Sequence, residues 1–207
     1  MNNNKVFYKE NNNLVHKLTF GLPGSGISSI IKKEIINVVN NTRDDNIVVI
    51  DVYGTQFNEI IQKFGGVTIT AKELLGCFDK IIFEPLEISN YKNYDETFNI
   101  IVAILEDLGL DYIYPTQQSI LYETLDEMCK SSEENTISNF IQHLQEKDNK
   151  LASILEVLNV FSNSENSQDI MNKLNTRFVC FDFGDCRKEF KGLAYLLALK
   201  TAKDKIW

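Results

Sequence analysis

The feature that most restricts the fold is a glycine-rich turn between an apolar segment and an amphipathic helix. In the stretch "LTFGLPGSGISSI", Gly21, Gly26 and Ser28 are in register with the phosphate-loop pattern G-x-x-x-x-G-K-[ST], and Gly24 adds a further glycine. The pattern has lysine where this chain has Ile27. An apolar strand that runs through such a turn into a helix predicts an α/β fold.

The backbone of this turn is suited to holding a phosphate group. Successive N–H groups converge on phosphate oxygens, the following helix adds its positive end, and glycine permits close approach. The predicted nucleotide-binding residues are Gly21, Gly24, Ser25, Gly26, Ile27, Ser28 and Ser29. Among them, the hydroxyl of Ser28 is the expected ligand of a metal ion, Mg²⁺. The alternative is a strand–helix turn that binds no ligand.

Because Ile27 is uncharged, the turn lacks the cation that lysine supplies in the phosphate-loop pattern. A lysine ammonium contacts the β- and γ-phosphates and offsets charge in the transition state. One pair of unit charges about 4 Å apart is worth about 4 kcal/mol at an effective dielectric constant of about 20. We therefore expect ATP and Mg²⁺, the candidate cofactors, to bind weakly, and we predict no catalytic residue.

Short apolar runs predict three strands, at "NIVVID", "VTIT" and "RFVCFDF". Short helices separate them, as in a parallel sheet with flanking helices. After the glycine-rich turn, helical spacing predicts an apolar face formed by Ile30, Ile31, Ile35, Val38 and Val39.

Helical spacing also dominates the middle of the chain. Four segments between residues 90 and 165 have it, the last being "KLASILEVLNVF". We therefore divide the chain into a first part of an α/β core (1–89), an all-helical insertion (90–165) and a return to the core (166–207).

Several other residues are weaker candidates. Asp51 ends a strand and would order Mg²⁺ or water, or else cap a turn. Asp182 and Asp185 lie near Cys186 in "FDFGDC", a combination found in metal sites and at nucleophiles, but the absence of a nearby histidine favours a plain strand end.

Two clusters between residues 84 and 122 have a structural and a functional interpretation. The acidic cluster is a solvated helix face or a docking surface for a basic partner, and it consists of Glu84, Glu87, Glu96, Asp107 and Asp111. The Phe and Tyr residues of 91–122 are expected to be core residues rather than a platform for stacking bases.

Composition narrows the class of protein further. A formal net charge of −8 and a pI of about 4.9 argue against a general nucleic-acid binder. The four cysteines form no C-x-x-C pair, so we expect free thiols. No signal peptide and no transmembrane segment are recognisable, which favours a cytoplasmic location.

The order of these segments resembles a known family, the cytoplasmic ATPases of type IV secretion and conjugative DNA transfer, in the form found on Gram-positive conjugative elements. The resembling segments are "GLPGSGISSIIKKEI", "IVVIDVYGTQFNEIIQKFGGVTI", "TISNFIQHLQE", "KLASILEVLNVFSNSE" and "NKLNTRFVCFDFGDCRKEFKGLAYLLAL". The resemblance implies a RecA-like P-loop NTPase core with an inserted helical subdomain and ATP hydrolysis. It also implies partners in a conjugation or secretion complex, a homo-oligomer, and a position at the cytoplasmic face of the membrane.

This sequence departs from the family in three places. Ile27 replaces the lysine, and Asp51 is followed by "VYGTQF" rather than by a proline and two glutamates. The family's Walker B strand follows the helix that ends near Trp207, so we expect the return to the core to be incomplete.

Three functions are consistent with this sequence. The favoured one is a degenerate ATPase domain with weak or no hydrolysis that serves as a binding or assembly element. The second is one piece of an active ATP-hydrolysing transfer motor, and the third is a protein-interaction module that binds no ligand.

Overall fold

The computed structural model describes residues 26–41, 46–54, 56–86, 91–131, 133–162 and 166–206. Within these residues three strands form a parallel sheet: β1 (Ile47–Asp51), β2 (Val67–Thr70) and β3 (Phe178–Asp182). The strand order is β1-β3-β2. The three predicted strands are thus confirmed, and the strand predicted before the glycine-rich turn lies outside the described residues.

Helices account for most of the remaining described chain. They are α1 (Ile27–Asn41), α2 (Asn58–Lys63), α3 (Ala71–Leu75), α4 (Phe78–Ile82), α5 (Tyr91–Asp107), α6 (Pro115–Lys130), α7 (Ile137–Lys147), α8 (Asn149–Leu155), α9 (Ser167–Leu174) and α10 (Lys191–Ile206). Two 3-10 helices, Glu156–Phe161 and Lys188–Phe190, follow α8 and precede α10.

Successive side chains of each strand point to opposite faces of the sheet, and among the described residues the two faces have separate cores of different size. On β3, Val179 and Phe181 join a large core shared with the helices that follow β2. Phe178 and Cys180 join a small core on the other face. The sheet is therefore covered on both faces, as expected for parallel strands.

Helix α1 covers the small core. Ile31, Ile35 and Val39 pack there against α2 and the sheet, which confirms three of the five residues predicted for the apolar face. Val38, predicted for the same face, is instead 43% exposed. This packing fixes the start of α1 relative to the sheet.

The helices between β2 and β3 share one continuous core with the sheet. Buried residues of α5, α6, α7 and α8, such as Leu105, Leu121, Phe140 and Leu151, belong to the same cluster as Ile69 of β2. The four helical segments predicted between residues 90 and 165 are present. The division of the chain into an insertion at 90–165 and a core on either side of it stays a prediction.

One predicted helix changes type. The segment "KLASILEVLNVF" is α-helical only as far as Leu155, and a 3-10 helix continues to Phe161. In a 3-10 helix residues i and i+3 eclipse, so Leu158 and Phe161 both face the large core. The β-branched Val157 and Val160 also favour an α-helix less than leucine does.

Three helices, α3, α4 and α9, were not predicted. Helix α3 begins directly after β2 with a reciprocal cap, in which Glu73 N–H donates to Thr70 Oγ1 (3.3 Å) and Thr70 N–H donates to Glu73 Oε2 (2.8 Å). This is the capping box signalled by the sequence "TAKE". The described residues establish an α/β fold with a parallel sheet, and a full RecA-like core stays a prediction.

Candidate functional site

The candidate site lies at the carboxyl edge of the sheet, where β1 and β3 both end in aspartate. Asp51 and Asp182 are direct partners in the parallel register, and Thr70 of β2 pairs with Asp182 on its other side. In open parallel sheets the crevice outside the carboxyl ends of the strands is the usual place for ligands. Both aspartates were candidates from the sequence, and the fold brings them side by side.

Asp51 organises the loop that follows β1. Its carboxylate is buried (3% exposed) and accepts three backbone N–H bonds. Oδ1 accepts from Gly54 at 2.9 Å and from Tyr53 at 3.3 Å, and Oδ2 accepts from Gln56 at 2.9 Å. Asp51 therefore caps the turn after β1, the second of its two predicted roles, and its role in ordering Mg²⁺ or water stays a prediction.

The loops after β1 and β3 touch through their backbones. Gly54 is buried and left-handed (φ +79°). A methyl group placed on it would lie 2.4 Å from Cα of Gly184 and 2.6 Å from Oδ1 of Asp182. Only glycine permits this approach and this backbone angle together.

A second hydrogen-bond chain connects Asp182 to β2 through α2. Asn58 Nδ2 donates to Asp182 Oδ2 at 3.3 Å, and Thr68 Oγ1 donates to Asn58 Oδ1 at 3.3 Å. Asp182 Oδ1 also accepts from the N–H of Gly184 at 2.9 Å. The carboxylate is thus held in a fixed position at the edge.

The start of α1 reaches the same edge. Ser28 Oγ donates to Gln56 Oε1 at 3.0 Å, and Gln56 N–H is one of the three donors to Asp51. Two predicted residues, Ser28 and Asp51, therefore belong to one hydrogen-bonded network. Gly26 precedes the helix with φ +82°, and its carbonyl accepts the N–H of Ile30 at 3.1 Å.

The described part of the predicted cradle extends from Gly26 to Ser29, whereas Gly21, Gly24 and Ser25 lie outside the described residues. A methyl group on Gly26 would meet no described atom within 4 Å. The half-buried side chain of Ile27 supplies no hydrogen-bond donor and no charge. Hydroxyl and carboxylate oxygens are the ligands Mg²⁺ prefers, and Ser28 keeps its lone pairs while donating to Gln56. Binding of a metal ion or of a triphosphate at these residues stays a prediction.

The cysteines near this edge are unsuited to nucleophilic chemistry. Burial, together with the charges of Asp51 and Asp182, raises the pKa of the Cys180 thiol to about 12. Burial also raises the pKa of Cys186, although Lys191 opposes the shift. All four cysteines are free, and the described residues contain no group of three or more metal-ligating side chains.

The acidic cluster is not one surface. Glu84 forms an ion pair with Lys80 (2.6 Å), and Glu96 forms ion pairs with Lys200 (3.3 Å) and Lys203 (2.7 Å). Intramolecular partners of this kind argue against a docking surface for a basic protein. Asp107 packs on the backbone at Gly192, Asp111 is exposed, and Glu87 lies outside the described residues.

The aromatic side chains that the structure describes between residues 94 and 122 include buried and exposed ones. Tyr94 is buried, donates its hydroxyl to the carbonyl of Tyr122 (2.7 Å) and meets the Tyr122 ring edge-on at 4.7 Å between centroids. Tyr112 and Tyr114 are 60% and 62% exposed and contact each other at 5.1 Å. The prediction that these aromatic residues belong to the core is therefore confirmed for Tyr94 and wrong for Tyr112 and Tyr114.

Sequence reasoning missed four residues of the site: Gly54, Gln56, Asn58 and Gly184. A signal for the two glycines was present, because β1 and β3 each end in aspartate and a glycine follows within three residues, in "DVYG" and in "DFG". The two side-chain amides carry no comparable signal.

Comparison with known proteins gives one kind of match. No family model and no curated protein matches the chain. Among solved structures, VirB4 of Thermoanaerobacter pseudethanolicus superposes with a TM-score of 0.57 at 14% sequence identity. The alignment covers 90% of this chain and 55% of that one, so this chain spans about half the length of its structural relative. The match shows a shared fold.

None of the described helices combines the length and the apolar character that crossing a bilayer requires.

Proposed function

We propose that the chain is a VirB4-like domain of a type IV secretion or conjugation machine that binds nucleotide weakly, hydrolyses it slowly or not at all, and acts in binding or assembly. The resemblance in the sequence and the superposition with VirB4 support the general kind of function. The degenerate state is our inference from Ile27.

One observation carries the proposal. Ile27 begins α1 beside Ser28, which is hydrogen-bonded through Gln56 to the network of Asp51. Ser28 and Asp51, the two residues predicted to act near a metal ion, are linked in this way, while the position where the phosphate-loop pattern has lysine has an aliphatic side chain. Loss of that cation weakens phosphate binding in the ground state and in the transition state.

Calorimetric titration with ATP and Mg²⁺, paired with a phosphate-release assay, tests the proposal. We expect weak binding and no steady turnover in the natural chain. Ile27→Lys should tighten ATP binding at least about tenfold, a gain of about 1.4 kcal/mol. Ile27→Met, an uncharged and unbranched replacement, is the matched control and should change little.

The outcomes separate the alternatives. Steady turnover by the natural chain would show an active motor domain. Saturating nucleotide at about 100 times Kd adds about 2.7 kcal/mol of stability. Absence of any thermal shift, in the natural chain and in Ile27→Lys alike, would mean that the turn is no phosphate site and would favour a ligand-free interaction module.

The rest of the proposal concerns the partners and the location of the chain. We infer that the chain works with other subunits of the secretion or conjugation complex, as a homo-oligomer, at the cytoplasmic side of the membrane. Cross-linking of the intact complex, followed by mass spectrometry, tests this placement.

A further inference from the structure

A groove lies beside the carboxyl edge of the sheet, between the 3-10 helix Glu156–Phe161, the start of α3 and the segment that joins β3 to α10. Two adjoining cavities of about 350 and 620 Å³ form it and share Arg187 and Phe190 as lining residues. We call this the basic groove and define it by Lys72, Val157, Val160, Arg187, Lys188 and Phe190.

The walls of the basic groove are apolar and partly uncovered. Phe161 and Phe190 meet edge-on, with ring centroids 4.9 Å apart, beneath the groove. Val157 and Val160 are 43% and 70% exposed. Because a 3-10 helix eclipses residues i and i+3, these two valines form one ridge while Leu158 packs inward.

The charge of the groove is opposite to that of the chain. Lys72, Arg187 and Lys188 line it and are exposed, and none of the three forms an ion pair in the described part of the chain. Two carboxylates, those of Asp185 and Glu189, also line it. Cations thus outnumber carboxylates here on a chain whose formal net charge is −8.

We propose that the basic groove binds a segment of another protein in which apolar side chains are flanked by aspartate or glutamate. An apolar side chain would cover the ridge of Val157 and Val160 and fill the cavity above Phe190. The flanking carboxylates would pair with Arg187, Lys188 and Lys72. Complementary charge of this kind directs encounter and register, and burial of the apolar ridge adds affinity. This role does not depend on nucleotide binding.

The test begins with a library of random 12-residue peptides displayed on phage and selected on the natural protein. We expect enrichment of sequences with two or more carboxylates next to leucine, isoleucine or phenylalanine. The enriched peptides are then synthesised with a fluorescent label, and their Kd is measured by anisotropy.

Charge reversal in the groove, Arg187→Glu with Lys188→Glu, should weaken binding of these peptides at least about tenfold, or about 1.4 kcal/mol. The control, Lys63→Glu with Lys150→Glu, makes the same change in net charge at two exposed lysines outside the groove and should leave Kd within about twofold. Val160→Ser should weaken binding without changing net charge.

Three results would overturn the proposal: no enrichment, enrichment of basic sequences, or equal affinity for the two double variants. Sedimentation velocity tests whether the groove is instead occupied by a second copy of this chain. Self-association of the natural chain that disappears on groove charge reversal would replace the partner protein with a second copy of this chain.

Discussion

Removal of the Asp51 carboxylate tests the claim that this side chain holds the loop after β1. In Asp51→Ala three backbone N–H groups lose their acceptor, and two of them, those of Gly54 and Gln56, form good bonds of 2.9 Å. A buried donor left without a partner costs about 1–3 kcal/mol. The third donor, the N–H of Tyr53, bonds at 3.3 Å and belongs to an exposed residue that water can reach.

The expected loss for Asp51→Ala is therefore about 2–6 kcal/mol, a large share of the about 5–15 kcal/mol typical of a folded domain. Asp51→Asn keeps one oxygen but turns an NH₂ group toward a donor, so we expect about half that loss. The free energy of unfolding is obtained from urea titrations followed by far-UV circular dichroism.

Asp185→Ala is the matched control, because Asp185 is an exposed aspartate in the loop after β3. A surface substitution of this kind should remain within about 0.5 kcal/mol of the natural chain. If Asp51→Ala destabilises the protein no more than Asp185→Ala does, the carboxylate is not what holds the loop.

Two further predictions concern the loop contact and the charged helix pair. Gly54→Ala should cost more than 2 kcal/mol, because the left-handed backbone alone costs about 1–2 kcal/mol and the added methyl group also collides with Gly184. Gly65→Ala is its control in the same urea titration, since Gly65 has φ +70° but open space around it, and equal losses would disprove the collision. Burial of Glu96 opposes ionisation, but hydrogen bonds and charges from Lys203 and Lys200 outweigh it and lower the Glu96 pKa. Stability from this group should therefore be complete above the ordinary carboxyl pKa of 4.5 and should be lost as the pH falls through the lower folded-state pKa. Melting temperatures measured against pH should show a smaller acid-side decline in Glu96→Gln, and an identical decline would contradict the assignment.

The strands and the longer helices were predictable because their side-chain patterns are local. The runs "IVVID" and "FVCFD" are short, β-branched or aromatic, and end in aspartate, and both became buried parallel strands. The five-residue helices α3 and α4 escaped detection because they are too short for helical spacing to be distinguished from an apolar run.

The candidate site was less predictable because it depends on contacts between distant residues. Ser28 and Gln56 are 28 positions apart, and Asn58 and Asp182 are 124 apart. No local pattern specifies such pairings. Sequence patterns marked the outer residues of the network, in "GSGIS" and in the two strand-terminal aspartates. The two side-chain amides that connect them, Gln56 and Asn58, could not be recognised from the sequence.

The central place of β3 has a consequence for how the chain acquires its structure. In the described sheet both β1 and β2 pair only with β3, which comes last along the chain. During synthesis, the partner that these two strands have in the described sheet becomes available only after more than a hundred further residues have left the ribosome following β2. Long-range pairing of this kind folds slowly and leaves apolar strands open to aggregation, so the helices made in between are expected to shield them.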